Sequence, residues 1–402
     1  MNRLIEGDVG SGKTVVAAMA AVMAVKQGFQ VALMAPTELL ARQHAETIHS
    51  LLQPLGMAES VSLLVGGLKP AQKAAAHKVI NSGQVKFIIG THALIAEKVD
   101  MHKLGLIIID EQHRFGVEQR KKLQAKAGHM PHVLSLTATP IPRSLALTLY
   151  GEMDISVIDA KPQDRKVIIT KLCSPNSRQQ LYEQIDKELQ AGRQMFVVCP
   201  VITESEVLDV KSAEKVYESL AKGPFKHRHL GLLHGKLKSD QKEKIMQNFL
   251  NKEIDILVST TVIEVGVDAP NASVMLIENA ERFGLAQIHQ LRGRVGRSAQ
   301  QGYCYLMLSD SRLPSRRLLA LERSNDGFEL AELDLEIRGP GAIYGTVQHG
   351  ALDLQVAKLT DIKLISRARQ AAQLFIDKHE DLLHYKHLSA RIAELRAVTN
   401  LN

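Results

Sequence analysis

The sequence contains no tryptophan, and aromatic residues make up only 4% of its 402 positions. Its cores must therefore be aliphatic, and a binding mode built on stacking bases against rings is not expected. Cysteine is scarce as well. Cys173, Cys199 and Cys304 lie far apart and are odd in number, so neither a disulfide framework nor a cysteine-based metal site follows. A reducing, cytoplasmic compartment is expected. The longest apolar run, Val15–Val25, falls short of the roughly 18–20 residues that cross a bilayer. A start carrying Arg3, Glu6 and Asp8 does not read as a secretory leader, and no membrane partner is expected. The rest of the composition is 45% hydrophobic and 23% charged, which excludes disordered, collagen-like and simple coiled-coil classes. At roughly 100–200 residues per domain the length predicts two or three domains. A net charge of +7 suits a polyanionic partner without identifying one.

Short apolar, β-branched runs alternate with helical patterns along most of the chain. Arg3–Glu6, Gln30–Ala35, Ser60–Val65, Lys86–Gly90, Leu104–Asp110 and Val133–Thr137 read as strands, continuous rather than alternating, as strands covered on both faces are. Helical stretches such as Lys13–Gln27 and Leu39–Leu52 separate them. The polar segment Asp154–Lys166 reads as a linker. A second series follows, with strands at Met195–Val201, His229–Leu233, Ile254–Thr260, Ser273–Glu278 and Tyr303–Leu308 and helices at Arg178–Ala191 and Ser239–Leu250. The expected fold class is therefore α/β: two tandem P-loop domains with mostly parallel sheets, followed by a helical C-terminal region. The expected divisions are 1–157, 158–314 and 315–402. A phosphate-loop strand ordinarily lies inside its sheet with chain before it, so further sequence is expected upstream of residue 1.

Gly7-Asp-Val-Gly-Ser-Gly-Lys13-Thr14 fits G-x-x-x-x-G-K-[ST], with a strand before it and a long helix after it. Gly7, Gly10 and Gly12, with Ser11 between, allow backbone N–H groups to point inward and cradle phosphate oxygens. Lys13 would reach the β- and γ-phosphates and the Thr14 hydroxyl would ligate Mg²⁺. An apolar strand ending in Asp110-Glu111 supplies the acidic half of such a site: Asp110 for the Mg²⁺ and Glu111 for the attacking water. Phosphoryl transfer also needs positive charge on the γ-phosphate, and Gln290-Leu-Arg292-Gly-Arg294-Val-Gly-Arg297 offers three closely spaced arginines. An ATP held between two domains accounts for both the arginines and the tandem layout. Closing on ATP and opening after hydrolysis would move one domain against the other.

These motifs, in this order, resemble superfamily 2 helicases: GDVGSGKT, DEQH (110–113), TAT (137–139) and QLRGRVGR (290–297). DEQHRFGVEQR (110–120), TATPIPR (137–143), TTVIEVGVDAPNAS (260–273) and SNDGFELAELDLEIRGPG (324–341) narrow the resemblance to the RecG family of bacterial helicases. The resemblance implies an ATP-dependent DNA helicase that translocates on duplex DNA, remodels stalled forks and branch-migrates Holliday junctions in recombination and repair. ATP and Mg²⁺ are its implied cofactors and branched or duplex DNA its implied partner. A monomer associated with the nucleoid is implied, as is contact with single-strand-binding protein through the family's N-terminal region.

At matching positions the resemblance assigns Arg294 and Arg297 as arginine fingers and places Gln290 near the γ-phosphate. Gly266 and Asp268 would face the nucleotide from the second domain. Thr137 and Thr139 would couple the nucleotide site to the DNA track. Pro36, Thr37, Thr91, His92, Thr260 and Thr261 would lie on the DNA side, where backbone and hydroxyl contacts to phosphate carry no sequence information. The residues alone favour local capping or turn chemistry for these threonines and His92. The segment 326–350 matches the family's translocation motif, with Arg338 and Gln348 linking motor closure to duplex movement. Here the sequence departs from the family: Gly345-Thr-Val347-Gln348-His349-Gly350 stands where the family reads near GTRQSG or GTRQTG, which puts one DNA or interdomain contact in doubt. The family's fork-splitting N-terminal part and its adenine-recognising segment fall outside this sequence. Two other readings stay open. One is a motor fragment that binds DNA and nucleotide with little turnover. The other is a translocase acting on RNA polymerase, as in the related transcription-repair coupling factor Mfd.

Overall fold

The computed structural model describes residues 1–138, 153–159, 166–200, 206–260, 269–297, 300–311, 313–338 and 362–399. They divide into two compact units, one reaching residue 327 and the other beginning at 328. The first unit holds two α/β lobes. Lobe 1 contains β1 (Asn2–Gly7), α1 (Lys13–Lys26), β2 (Gln30–Met34), α2 (Glu38–Leu52), β3 (Val61–Leu64), α3 (Pro70–Asn81), β4 (Phe87–Gly90), β5 (Leu104–Asp110), α4 (Val117–Gln124), β6 (His132–Thr137) and β7 (Asp154–Ile158). Lobe 2 contains β8 (Ile169–Cys173), α5 (Arg178–Gln190), β9 (Gln194–Val198), α6 (Glu206–Lys222), β10 (Leu230–Leu233), α7 (Ser239–Leu250), β11 (Ile256–Ser259), β12 (Ala272–Ile277), α8 (Leu285–Arg292), β13 (Tyr303–Met307) and α9 (Arg316–Arg323). α10 (Gly327–Arg338) begins at the unit boundary, and α11 (Ile362–Asp377) and α12 (Lys386–Thr399) complete the second unit. There the turn between α11 and α12 is closed by an edge-on contact of Phe375 with Tyr385, ring centres 5.2 Å apart. Among the described residues no helix is long and apolar enough to cross a membrane.

The strands run β3-β4-β2-β5-β6-β1-β7 across lobe 1 and β10-β11-β9-β12-β13-β8 across lobe 2, and neighbouring strands pair in parallel throughout. The inner strands are buried along most or all of their length because helices cover both faces, exposure being confined to the first residues of β1, β6 and β13. Their side chains still alternate between two cores. Val31, Leu33, Ile89, Ile108 and Leu134 join α1 and α2 on one face. Ala32, Met34, Ile88, Ile107, Ile109 and Val133 join α3 and Leu123 of α4 on the other. In lobe 2, Met195, Val197, Ile256, Val258, Val274 and Leu276 form the corresponding core against α5.

Two strands differ from the sequence reading. Asp154–Ile158, read as the start of a linker, is β7, paired with β1 from Arg3 opposite Asp154 to Gly7 opposite Ile158. Ile169–Cys173, given no element, is β8 and pairs with β13. Both lie at sheet edges, where one side faces solvent and polar residues are tolerated. In β7 the polar groups are met across the strand pair: the Arg3 guanidinium donates to Ser156 Oγ at 2.6 Å and to Asp154 Oδ2 at 3.2 Å. α9 packs on β8 and stays with the first unit, the Glu322 carboxylate accepting the Leu172 N–H at 3.0 Å.

The difference between inner and edge strands has a measurable consequence. Ile108→Ala, in the centre of β5, is expected to lower unfolding free energy by about 2–5 kcal/mol, read from urea midpoints. Val157→Ala on the exposed side of β7 should cost less than about 1 kcal/mol. Equal losses would contradict this assignment of core and edge.

Candidate active site

Parallel pairing aligns the carboxyl ends of three adjacent strands, β5, β6 and β1. Glu6 stands opposite Thr137, and Leu136 opposite Asp110, so the loops leaving Gly7, Asp110 and Thr137 open on the same crevice. Ligands of such sheets enter at that end. The loop after β1 has backbone that other residues would strain. Gly10 and Gly12 take φ of 85° and 93°, in the left-handed region that glycine reaches without a Cβ penalty. A Cβ on Gly7 would meet Ser11 Oγ at 2.5 Å and the Ile158 carbonyl at 3.0 Å.

A cleft of about 470 Å³ opens from this loop between the lobes. Val9, Gly10, Lys13, Thr14, Asp110 and Glu111 line it from lobe 1, and Arg294 and Arg297 from lobe 2. The Lys13 ammonium is folded onto its own loop, donating to the Gly7 and Asp8 carbonyls at 2.8 Å each. Burial pushes its pKa below the ordinary lysine value, against the opposing pull of Asp110, Glu111 and Asp8. Burial would raise the Asp110 carboxyl, but the His44 hydrogen bond, the Lys13 charge and the Glu111 N–H outweigh it and hold it below the usual carboxylate range. His44 Nε2 lies 2.7 Å from Asp110 Oδ2, and the Glu111 N–H donates to Asp110 Oδ1 at 3.0 Å. Glu111 behaves oppositely. Burial, then the neighbouring Asp110 charge, raises its pKa to about 7, although Arg294 and Lys13 pull it down. Its backbone is left-handed, φ 49°, an uncommon position for a side-chain-bearing residue. One carboxylate is thus held ionised while its neighbour is poised near neutrality, the separation that gives two acids two roles.

The residues fit a magnesium-bound nucleoside triphosphate. Ser11 Oγ is buried with no hydrogen-bond partner among the described residues, and Glu111 Oε2 makes no hydrogen bond there either, with only the His113 ring nitrogen 3.6 Å away; such groups are costly unless something meets them. Thr14 and Asp110 offer the oxygen donors that Mg²⁺ prefers. Among the described residues no group of three or more His, Cys, Asp or Glu could hold a metal. A magnesium ion here would therefore complete its shell with phosphate oxygens and water, as this ion does at phosphate sites.

The other expected residues are placed as follows. Gln290 is buried in α8 and does not line the cleft. Thr37 caps α2, its hydroxyl accepting the Leu40 N–H at 3.3 Å. Pro36 and Thr91 sit just beyond β2 and β4, at the same end of the sheet as the phosphate loop. Thr91, Thr137 and Thr260 are buried, whereas His92 is exposed. Arg338 ends α10. Thr139, Thr261, Gly266, Asp268, Val347, Gln348 and His349 lie outside the described residues.

Sequence reading missed two histidines. His44 carried a signal: α2 buries Leu40, Ala41, His44, Ile48 and Leu52, so a polar residue sits inside an apolar stripe. His289 carried none, because Leu285 and every residue from Ile288 to Arg292 in α8 are buried. His289 Nε2 lies 3.0 Å from Asp8 Oδ1, bridging lobe 2 to the phosphate loop.

The electrostatics predict a titration. The side-chain carboxyl carbon of Glu111, followed by NMR as pH is varied, should move with a midpoint near 7, set by burial and Asp110. In Asp110→Asn the midpoint should fall, because the repelling charge is gone. A wild-type midpoint below about 5 would contradict the buried acid pair.

Three family models match the chain: DEAD/DEAH box helicase over residues 1–148, Helicase conserved C-terminal domain over 177–299, and ATP-dependent DNA helicase RecG, domain 3, C-terminal, over 324–402. The ATP-dependent DNA helicase RecG of a Synechocystis species is 49% identical over 98% of this chain and 47% of its own length. That of Bacillus subtilis is 48% identical over 92% of this chain and 54% of its own. A solved structure of RecG bound to a three-way DNA junction superposes with a TM-score of 0.72 at 44% identity, over 91% of this chain and 47% of that one. Yeast Dbp5 bound to RNA and ADP BeF3 aligns at a TM-score of 0.57 and 18% identity, covering 84% of this chain and 83% of that one, a likeness of fold alone: two tandem RecA-like lobes. The chain spans about half the length of the curated relatives it matches. With all three models and these identities falling on one line of relatives, the chain belongs to the RecG family of DEAD/DEAH-type helicases.

Proposed function

We propose that this chain is an ATP-driven translocase on double-stranded DNA, the motor of a RecG-type helicase that remodels stalled forks and Holliday junctions. One observation carries the reading: Lys13, Asp110 and Glu111 from lobe 1 and Arg294 and Arg297 from lobe 2 line a single cleft. In the proposed reaction the loop N–H groups and the Lys13 ammonium hold the β- and γ-phosphates, Lys13 leaving the Gly7 and Asp8 carbonyls to do so. Mg²⁺, held by the Thr14 hydroxyl and through water by Asp110, would neutralise phosphate charge. Glu111, ionised above about pH 7, takes a proton from the attacking water. Arg294 and Arg297 meet the charge that develops on the γ-phosphate oxygens. Loss of the γ-phosphate removes what draws the arginines to the loop, so the lobes part. Repetition of that cycle is the proposed stroke.

The divisions 1–157, 158–314 and 315–402 are proposed as first lobe, second lobe and translocation region. Pro36, Thr37, Thr91, His92 and Thr260 are proposed to lie on the DNA side, Thr137 to couple the nucleotide site to the DNA track, and Arg338 to pass lobe movement to the duplex. A cytoplasmic, nucleoid-associated location accompanies this reading. The RecG domain 3 match over 324–402, with the likeness to RecG solved on a three-way DNA junction, supports a DNA-junction substrate in preference to an RNA polymerase roadblock.

The test is ATP hydrolysis by the 402-residue chain with and without branched DNA. Wild type should be stimulated by DNA. Lys13→Ala, Glu111→Gln and Arg294→Ala should each lose roughly 100-fold or more in turnover. Equal rates in wild type and Lys13→Ala would overturn the site. Tight nucleotide binding with negligible wild-type turnover would overturn the motor in favour of a binding module.

A further inference from the structure

We propose that His289 is a positioning residue that carries the state of the phosphate loop to the backbone just ahead of α10. The proposal rests on reading that loop as a nucleotide site, and it concerns a residue that takes no part in the chemistry. His289 Nδ1 lies 2.8 Å from the Arg292 guanidinium, and its Nε2 lies 3.0 Å from Asp8 Oδ1. Arginine can only donate, so Nδ1 must accept and the ring proton must sit on Nε2, where it donates to Asp8. A neutral histidine in this one tautomer satisfies both bonds, and no other neutral arrangement does.

Arg292 continues the chain of contacts. Its other terminal nitrogen donates to the carbonyls of Leu321 at 3.0 Å and Ser324 at 2.8 Å. Arg292 is 2% exposed and His289 4%. A guanidinium buried that deeply needs its N–H groups met, so the link is stiff: moving one end strains the other. Ser324 lies three residues before Gly327, where α10 begins.

The other end is attached to the part of the loop that a phosphate would disturb. The Asp8 carbonyl accepts from Lys13 Nζ at 2.8 Å and from the Ser11 N–H at 3.1 Å. Drawing Lys13 onto a phosphate removes one of those anchors. A second contact ties the same stretch to α8 independently of the histidine. A Cβ built on Gly293 would lie 3.0 Å from both Cβ and Cγ2 of Val9, so helix end and loop touch with no room between them. Asp8 and Val9 are therefore seated on His289 and Gly293, and a shift of the loop is passed to Arg292 and on to the 321–324 backbone.

Amide hydrogen exchange of the full 402-residue chain, with and without a non-hydrolysable ATP analogue, tests this. Wild type should show protection over residues 7–16 and a change of about fivefold or more at the amides of 322–327. In His289→Leu the loop protection should persist while the change at 322–327 falls within about twofold of none. His289→Gln keeps an amide N–H for Asp8 near the Nε2 position and a carbonyl oxygen that can accept from Arg292, and should restore at least part of it. Asp8→Ala cuts the link at its loop end, where Oδ1 also accepts the Val9 N–H at 2.8 Å, so protection over 7–16 should weaken and the change at 322–327 should be lost as in His289→Leu, which covers the case of a leucine variant that does not fold. Loop protection without a change at 322–327 in wild type would overturn the relay and leave the nucleotide site standing. So would full transmission in Asp8→Ala, or a glutamine variant that fails like leucine. No protection over 7–16 in wild type would overturn the nucleotide reading and the relay together.

Discussion

Two carboxylates and an ammonium share one buried space at the end of β5 and β1, and everything else about the cleft depends on how their charges are balanced. Alone, Asp110 and Glu111 repel. The structure resolves this by holding Asp110 ionised through His44 and letting Glu111 rise to a pKa of about 7. Lys13 lies near both acids, yet its hydrogen bonds go to its own loop. The arrangement leaves Ser11 Oγ with no hydrogen bond among the described residues and Glu111 Oε2 with only the His113 ring nitrogen at 3.6 Å, and the proposed polyphosphate with its cation would meet both. The same low-dielectric setting that makes an unmet polar atom costly strengthens each contact a phosphate would make there.

The two sheets are what make this balance possible. Parallel pairing brings Gly7, Asp110 and Thr137 to one edge with a register that leaves no freedom to slip, since a shift of one residue would exchange the two cores. Lobe 2 then contributes through α8, whose residues are buried from Ile288 to Arg292. Of the three arginines that read in sequence as positive charge for a phosphate, Arg292 and Arg294 are buried and Arg297 is partly so. Arg292 braces the 321–324 backbone, and Arg294 and Arg297 line the cleft.

Much of this was legible in the residues, for physical reasons. Inner strands are covered on both faces and so appear as unbroken apolar runs, as β2, β5 and β6 do. β7 and β8 are edge strands whose outward residues stay polar, and a run such as Asp154-Ile-Ser-Val-Ile158 looks like a linker until Arg3 is seen to satisfy its side chains. The phosphate loop was readable because glycines at Gly7, Gly10 and Gly12 answer local backbone needs. His44 and His289 act on partners 66 and 281 residues away. No local spacing encodes a contact of that kind, although the polar break in the apolar stripe of α2 marked His44 as a residue with a buried partner.

The central claim is that a triphosphate is gripped by lobe 1 and sensed by lobe 2 through its terminal phosphate. Calorimetric titration of wild type and Arg294→Ala with a non-hydrolysable ATP analogue and with ADP tests it most directly. Arg294→Ala should weaken the triphosphate by about tenfold or more and leave the diphosphate within about twofold, because only a γ-phosphate would meet the guanidinium. Equal loss for both nucleotides, or none for either, would contradict the claim.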